Sequence, residues 1–90
     1  MIDFNAIRWK IINDDLEGME MLYDRYAEAI FFTICQLVPE VEKSEEILIN
    51  VFQKIWNERT ALPESQDAFY IWLFKMTRNA ASGNSFFSMN

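Results

Sequence analysis

Ninety residues with 51% apolar and 16% aromatic content are enough for one dense core, which excludes global disorder, and too few for two domains. Two Gly and two Pro are too little punctuation for a sandwich or barrel of many short strands. The net charge of −6 weighs against a protein that binds duplex DNA through a broad basic patch.

Apolar spacing predicts helix throughout. A first helix runs from an N-cap at Asp3 to Ile12, with Phe4, Ile7 and Ile11 as its stripe. Asn13-Asp14-Asp15 ends it and caps the next, which spans about Leu16 to Leu37. Its expected inward stripe is Leu16, Met19, Tyr23, Tyr26, Ile30, Ile34 and Leu37. Gly18, near its start, has two readings: a close approach by a neighbouring helix, or simple tolerance near a helix end. Val38-Pro39 stops this helix, because the residue before proline is pushed out of the helical region. The third helix starts at Glu40 or Ser44 and reaches Glu58, burying Ile47, Leu48, Val51, Phe52 and Ile55. Arg59 to Glu64 reads as a loop, and Ser65 as the N-cap of a fourth helix from Gln66 to about Ser82. Gly83-Asn84 is the expected stop, and Phe86 and Phe87 in the tail show no pattern. The fold class is therefore all-α, a single four-helix domain.

Little in this chain suggests catalysis. It has no histidine, so the commonest general base and metal ligand is missing. Cys35 is the lone cysteine, leaving no intrachain disulfide framework; within AIFFTICQLV it reads as a small buried hydrophobe rather than a nucleophile. No Gly-rich phosphate cradle is present. The expectation is a binding protein, not an enzyme, with no cofactor and no metal. No run reaches the roughly 20 apolar residues of a membrane span, and the opening MIDFNAIRWK lacks a signal peptide's order. A cytoplasmic location without membrane contact is expected.

Charge is unevenly placed. Up to Thr60 there are 12 Asp/Glu against 6 Lys/Arg, whereas after Asp67 the only charged side chains are Lys75 and Arg78. On the third helix Glu46, Ile49, Asn50, Gln53 and Asn57 fall opposite the buried stripe, with Trp56 at the border. Such a face is either merely solvated or, given Ile49 and Trp56, a docking surface. On the fourth helix Phe69, Leu73, Met76 and Ala80 define the core side. Tyr70, Phe74 and Arg78 line the far side, with Ile71 and Lys75 beside them and Trp72 near the boundary. Tyr70 and Phe74 are either additional core or an exposed aromatic-cationic face of the sort that stacks unpaired bases.

Three segments in order carry a resemblance: DDLEGMEMLYDRY (Asp14 to Tyr26), SEEILINVFQKIW (Ser44 to Trp56) and DAFYIWLFKMTRN (Asp67 to Asn79). Together they resemble the second conserved region of the extracytoplasmic-function sigma factors. The resemblance implies a domain of the sigma-factor region 2 type over residues 1–85, with 86–90 as a tail or the start of a linker. It implies docking on the clamp helices of the largest subunit of core RNA polymerase through Glu46, Ile49, Asn50 and Gln53. It further implies recognition and melting of the minus-ten promoter element through its non-template strand. Leu62 and Ser65 would contribute from the loop, Tyr70, Trp72, Phe74, Lys75 and Arg78 from the helix, and Asn79 at a flipped-base pocket. An anti-sigma factor is an implied further partner. The alternative is a sigma mimic that occupies an anti-sigma factor without touching promoter DNA. Departures from the family pattern are Ile49-Asn50 for a Gln-Glu pair, Asp14 for Gly and Gly18 for Ala. The stretch Ala80 to Asn90 also carries no charge where the family is basic, and these ninety residues do not include the family's second DNA-binding domain, a helix-turn-helix that reads the minus-thirty-five element. The chain is accordingly expected to be a piece of a longer protein or one with a reduced grip on DNA.

Overall fold

A computed structural model describes residues 3–87, with side chains given through Ser82. The described residues form four α-helices and one short 3-10 turn: α1 (Phe4–Ile12), α2 (Leu16–Leu37), α3 (Val41–Asn57), the turn Arg59–Ala61, and α4 (Gln66–Phe87). No strand occurs among them. The molecule is an all-α, four-helix domain, as the periodicity implies.

Local chemistry explains the boundaries. The Asp3 carboxylate accepts from the Ala6 amide at 3.0 Å, and the Asp15 carboxylate from the Glu17 amide at 3.0 Å, capping α1 and α2. Between them the chain closes α1 with a Schellman turn, in which Asp15 N–H reaches Lys10 C=O and Asp14 N–H reaches Ile11 C=O. That turn places Asp14 at φ 65, in the left-handed region. Lys10 ties the corner across to α2: a hydrogen bond from its ammonium to Glu17 and the charges of Glu17 and Asp15 hold it above its usual 10.5. Val38 takes extended backbone before Pro39, and α3 begins at Val41 rather than at Ser44. Ser44 is instead buried, its hydroxyl donating to the Val38 carbonyl at 3.4 Å.

α2 packs against all three other helices, and α4 also against α3. The core gathers Phe4, Ile7 and Ile11 of α1, Leu22 to Ile34 of α2, Ile47 to Ile55 of α3, and Phe69, Leu73 and Met76 of α4. The expected α2 stripe is half corrected. Its buried residues are Gly18, Leu22, Tyr26, Ile30 and Ile34, an unbroken four-residue step, while Leu16, Tyr23 and Leu37 are exposed and Met19 is half-buried. A pure four-residue step drifts around the helix, so α2 turns its inner face from α1 toward its other partners along its length. The starting point is fixed by Gly18. A Cβ there would lie 2.8 Å from Ile11 Cγ1 and 3.0 Å from the Ile11 backbone N, so the close-approach reading of this glycine holds.

Three further expectations change. Cys35 is exposed rather than buried: it follows Ile34 by one residue and so stands about 100° around the helix from the buried row. Ala80 is only half-buried, its expected core place being taken by Thr77 and Ala81 at 0% exposure. Finally, α4 does not stop at Gly83-Asn84 but continues to Phe87. Gly and Asn favour a helix stop without enforcing one, since both accept helical backbone angles at a cost of up to about 1 kcal/mol. Phe86 and Phe87 are thus helical in backbone, and Ser88 to Asn90 of the expected tail lie outside the described residues.

Candidate functional site

The loop into α4 is built from both sides. Leu62 is 4% exposed and belongs to the core, and its carbonyl accepts from Arg8 Nη2 at 3.2 Å, while Arg8 Nε donates to the Pro63 carbonyl at 3.0 Å. The Leu62 side chain therefore anchors the loop in the core and does not face solvent, which leaves only its backbone for contact with a ligand. Ser65 is exposed and accepts from the Ala68 amide at 3.1 Å, so its hydroxyl caps α4. Arg8, on α1, is the positioning residue that sequence reasoning missed. Its half-buried place opposite the loop follows only from tertiary packing.

α4 presents three surfaces. Its outermost strip is Ile71, Lys75 and Arg78, all exposed. Neither Lys75 nor Arg78 enters an ion pair among the described residues. On one flank stand Tyr70, half exposed, and Phe74, half-buried, with ring centroids 4.6 Å apart. Tyr70 in turn meets the buried Tyr26 ring at 6.4 Å, and Tyr26 meets Phe69 at 5.5 Å, so this aromatic pair is the outer end of a core cluster. Both earlier readings of Tyr70 and Phe74 apply in part: they are rooted in the core and open to solvent at their edge.

The opposite flank carries Trp72 and Asn79, about 160° around the helix from Phe74 and Tyr70 at 100° per residue. There α3 and α4 enclose a pocket of about 380 Å³ lined by Lys54, Glu58, Trp72, Lys75, Met76 and Asn79. Lys54 and Glu58 form an i,i+4 ion pair at 3.3 Å on its α3 wall. An indole, an amide with both donor and acceptor, and the Lys75 ammonium around one concavity, with Lys54 offset by Glu58, suit a planar, hydrogen-bonding ligand of modest negative charge. Lys54 and Glu58 were absent from the sequence-derived set, since nothing in α3 alone says that its last turn faces Asn79. Ser65 and Asn79, by contrast, are separated by about 21 Å of helix axis and do not share one pocket.

α3 turns Glu46, Ile49, Asn50 and Gln53 to solvent, all four exposed. Ile49 is 56% exposed and looks sideways into a long apolar groove between α2 and α3. Leu16, Met19 and Tyr23 form the α2 wall of that groove, the residues that the periodicity had assigned to the core. Trp56 is half-buried at its end, with the Arg59 guanidinium 4.2 Å over its ring and bonded to Asp14 at 2.6 Å.

Among the described residues no group of three or more His, Cys, Asp or Glu is placed to hold a metal ion, and no helix is long and apolar enough to cross a membrane. Comparison of the chain with protein-family models, with curated proteins and with solved structures gave no match.

Proposed function

We propose that this chain is a promoter-opening domain of the extracytoplasmic-function sigma type, docking on core RNA polymerase through α3 and holding unpaired non-template bases on α4. The observation that carries this reading is the composition of the α4 surface. On a chain of net charge −6, this helix has no acidic side chain after Asp67, and its exposed cations Lys75 and Arg78 lie between an open aromatic pair and an indole–amide pocket. Unpaired bases need π-faces and a local positive field, which this helix supplies; a duplex would need a broad basic surface, which this chain lacks. The resemblance of Asp67 to Asn79 to the family's melting helix supports the same assignment.

The test is promoter opening by holoenzyme reconstituted with the whole chain, scored on non-template strands substituted one base at a time. Base–aromatic stacking contributes about 1–3 kcal/mol, whereas one exposed cation adds a smaller, salt-dependent term. Trp72→Ala and Phe74→Ala should therefore reduce opening more than Lys75→Ala. Asn79→Ala should blur preference at one position rather than lower opening evenly, because a flipped base is read by hydrogen bonds to its edge. Wild-type opening and preference in all of these variants would end the DNA reading. The sigma mimic would then stand, a reading favoured independently by the apolar, acid-rimmed groove between α2 and α3, which suits a protein partner rather than a nucleic acid.

A further inference from the structure

α2 and α3 run antiparallel, Leu16 lying across from Trp56 and Phe31 across from Glu45. Three adjoining concavities follow their seam and share Tyr23, the largest holding about 630 Å³. The floor is closed by Phe52 and Tyr23, with ring centroids 4.9 Å apart. Leu16, Tyr23 and Ile49 stand open to solvent along it, at 64%, 44% and 56% exposure. Scattered surface apolar groups are ordinary, but a continuous apolar trough on a small helical domain marks a docking site.

The rim decides what docks. Glu20 and Asp24 border the central stretch, and Glu28 and Glu45 the far end; no Lys or Arg lines any of the three concavities. Arg59 beside Trp56 is already neutralised by Asp14. From Leu16 to Phe31 the trough follows about 22 Å of helix axis, room for about fifteen residues of a helix laid along it. We infer that this groove receives a basic amphipathic helix from a partner protein, its aliphatic side chains at i, i+3, i+4 and i+7 seated over Tyr23 and Ile49 and its Lys or Arg flanks against Glu20, Asp24, Glu28 and Glu45. The groove shares Ile49 and Gln53 with the α3 face proposed to meet polymerase, but the inference rests neither on that contact nor on promoter recognition by α4.

The probe is a labelled 18-residue synthetic helix with Leu at the i, i+3, i+4, i+7 positions and Lys elsewhere. Its controls are the same pattern with Glu for Lys, and a Leu/Lys peptide of the same composition in scrambled order. Fluorescence anisotropy with the whole chain should show saturable binding of the patterned Lys helix, weakening with salt, and at least tenfold weaker binding of both controls. Leu16→Gln with Ile49→Gln changes no charge and no buried residue, and should weaken the patterned helix at least tenfold without altering the circular dichroism spectrum. Asp24→Asn with Glu28→Gln should flatten the salt dependence. Equal binding of the scrambled peptide, or indifference to the Leu16/Ile49 variant, would reduce the interaction to general charge attraction and overturn the inference; so would no binding. Concentration-dependent self-association that the same variant abolishes would assign the groove to a second copy of this chain and overturn the partner reading.

Discussion

Asp14 shows how much one backbone position can demand. The Schellman turn between α1 and α2 needs a residue at positive φ, and Asp14 supplies it at φ 65 while its carboxylate holds Arg59. Asp tolerates that region better than most residues, yet only glycine enters it freely. Asp14→Ala and Asp14→Gly both remove the ion pair, so their difference isolates the backbone cost. The Ala variant should be the less stable by about 1 kcal/mol in urea unfolding. Gly18 makes the opposite demand, for space. Its replacement by Ala would improve helix propensity by up to about 1 kcal/mol. The new methyl would, however, meet Ile11 Cγ1 at 2.8 Å, Lys10 Cβ at 2.9 Å and the Ile11 backbone, none of them a free side-chain end. Overpacking of this kind costs about 1–3 kcal/mol, so Gly18→Ala should lower the thermal midpoint despite its better propensity.

At the scale of the element, α4 combines structural and surface roles that separate by position. Phe69, Leu73 and Met76 hold it in the core, Ser65 caps it, and Ile71, Lys75, Arg78 and Asn79 are free of packing duty. Ser65→Ala should cost about 0.5–2 kcal/mol by removing the acceptor for the Ala68 amide, and Ser65→Asp should restore that stability. The two variants also test the loop's place at DNA. If Ser65 lies beside the strand, Ser65→Asp is as stable as wild type but opens promoters less well, since it sets a negative charge against phosphate. If it serves only as a cap, opening follows stability in both variants. Thermal unfolding alongside promoter opening separates the outcomes.

Over the whole molecule the arrangement is bipolar. Carboxylates crowd α2 and α3, while the strip on α4 is cationic, so two dissimilar partners can bind without competing for one surface. Glu46→Lys with Gln53→Lys reverses one charge and adds a second cation at two exposed sites of the outer α3 face. Stability should move by less than about 0.5 kcal/mol, while affinity for core polymerase should fall severalfold in a pull-down or fluorescence titration. Undiminished affinity would remove the outer face of α3 from the polymerase contact.

The helices, their caps and most of the core were legible in the sequence because they depend on neighbours three and four residues away. Asp3, Asp15, Ser65 and Pro39 act within one turn, and the stripes of α1 and α3 repeat with the helix itself. α2 was legible in extent but not in facing. Leu16 and Tyr23 fit an inward stripe as well as Leu22 does, and only the seating of Gly18 against Ile11 turns them outward to form the groove. The pocket around Asn79 was hidden for a similar reason, since half its wall, Lys54 and Glu58, comes from another helix. Leu62 and Arg8 became a loop clamp through a contact spanning the chain. Local spacing determines which residues share a face; which face meets which neighbour is settled by the packing of all four helices at once, and there the candidate sites were decided.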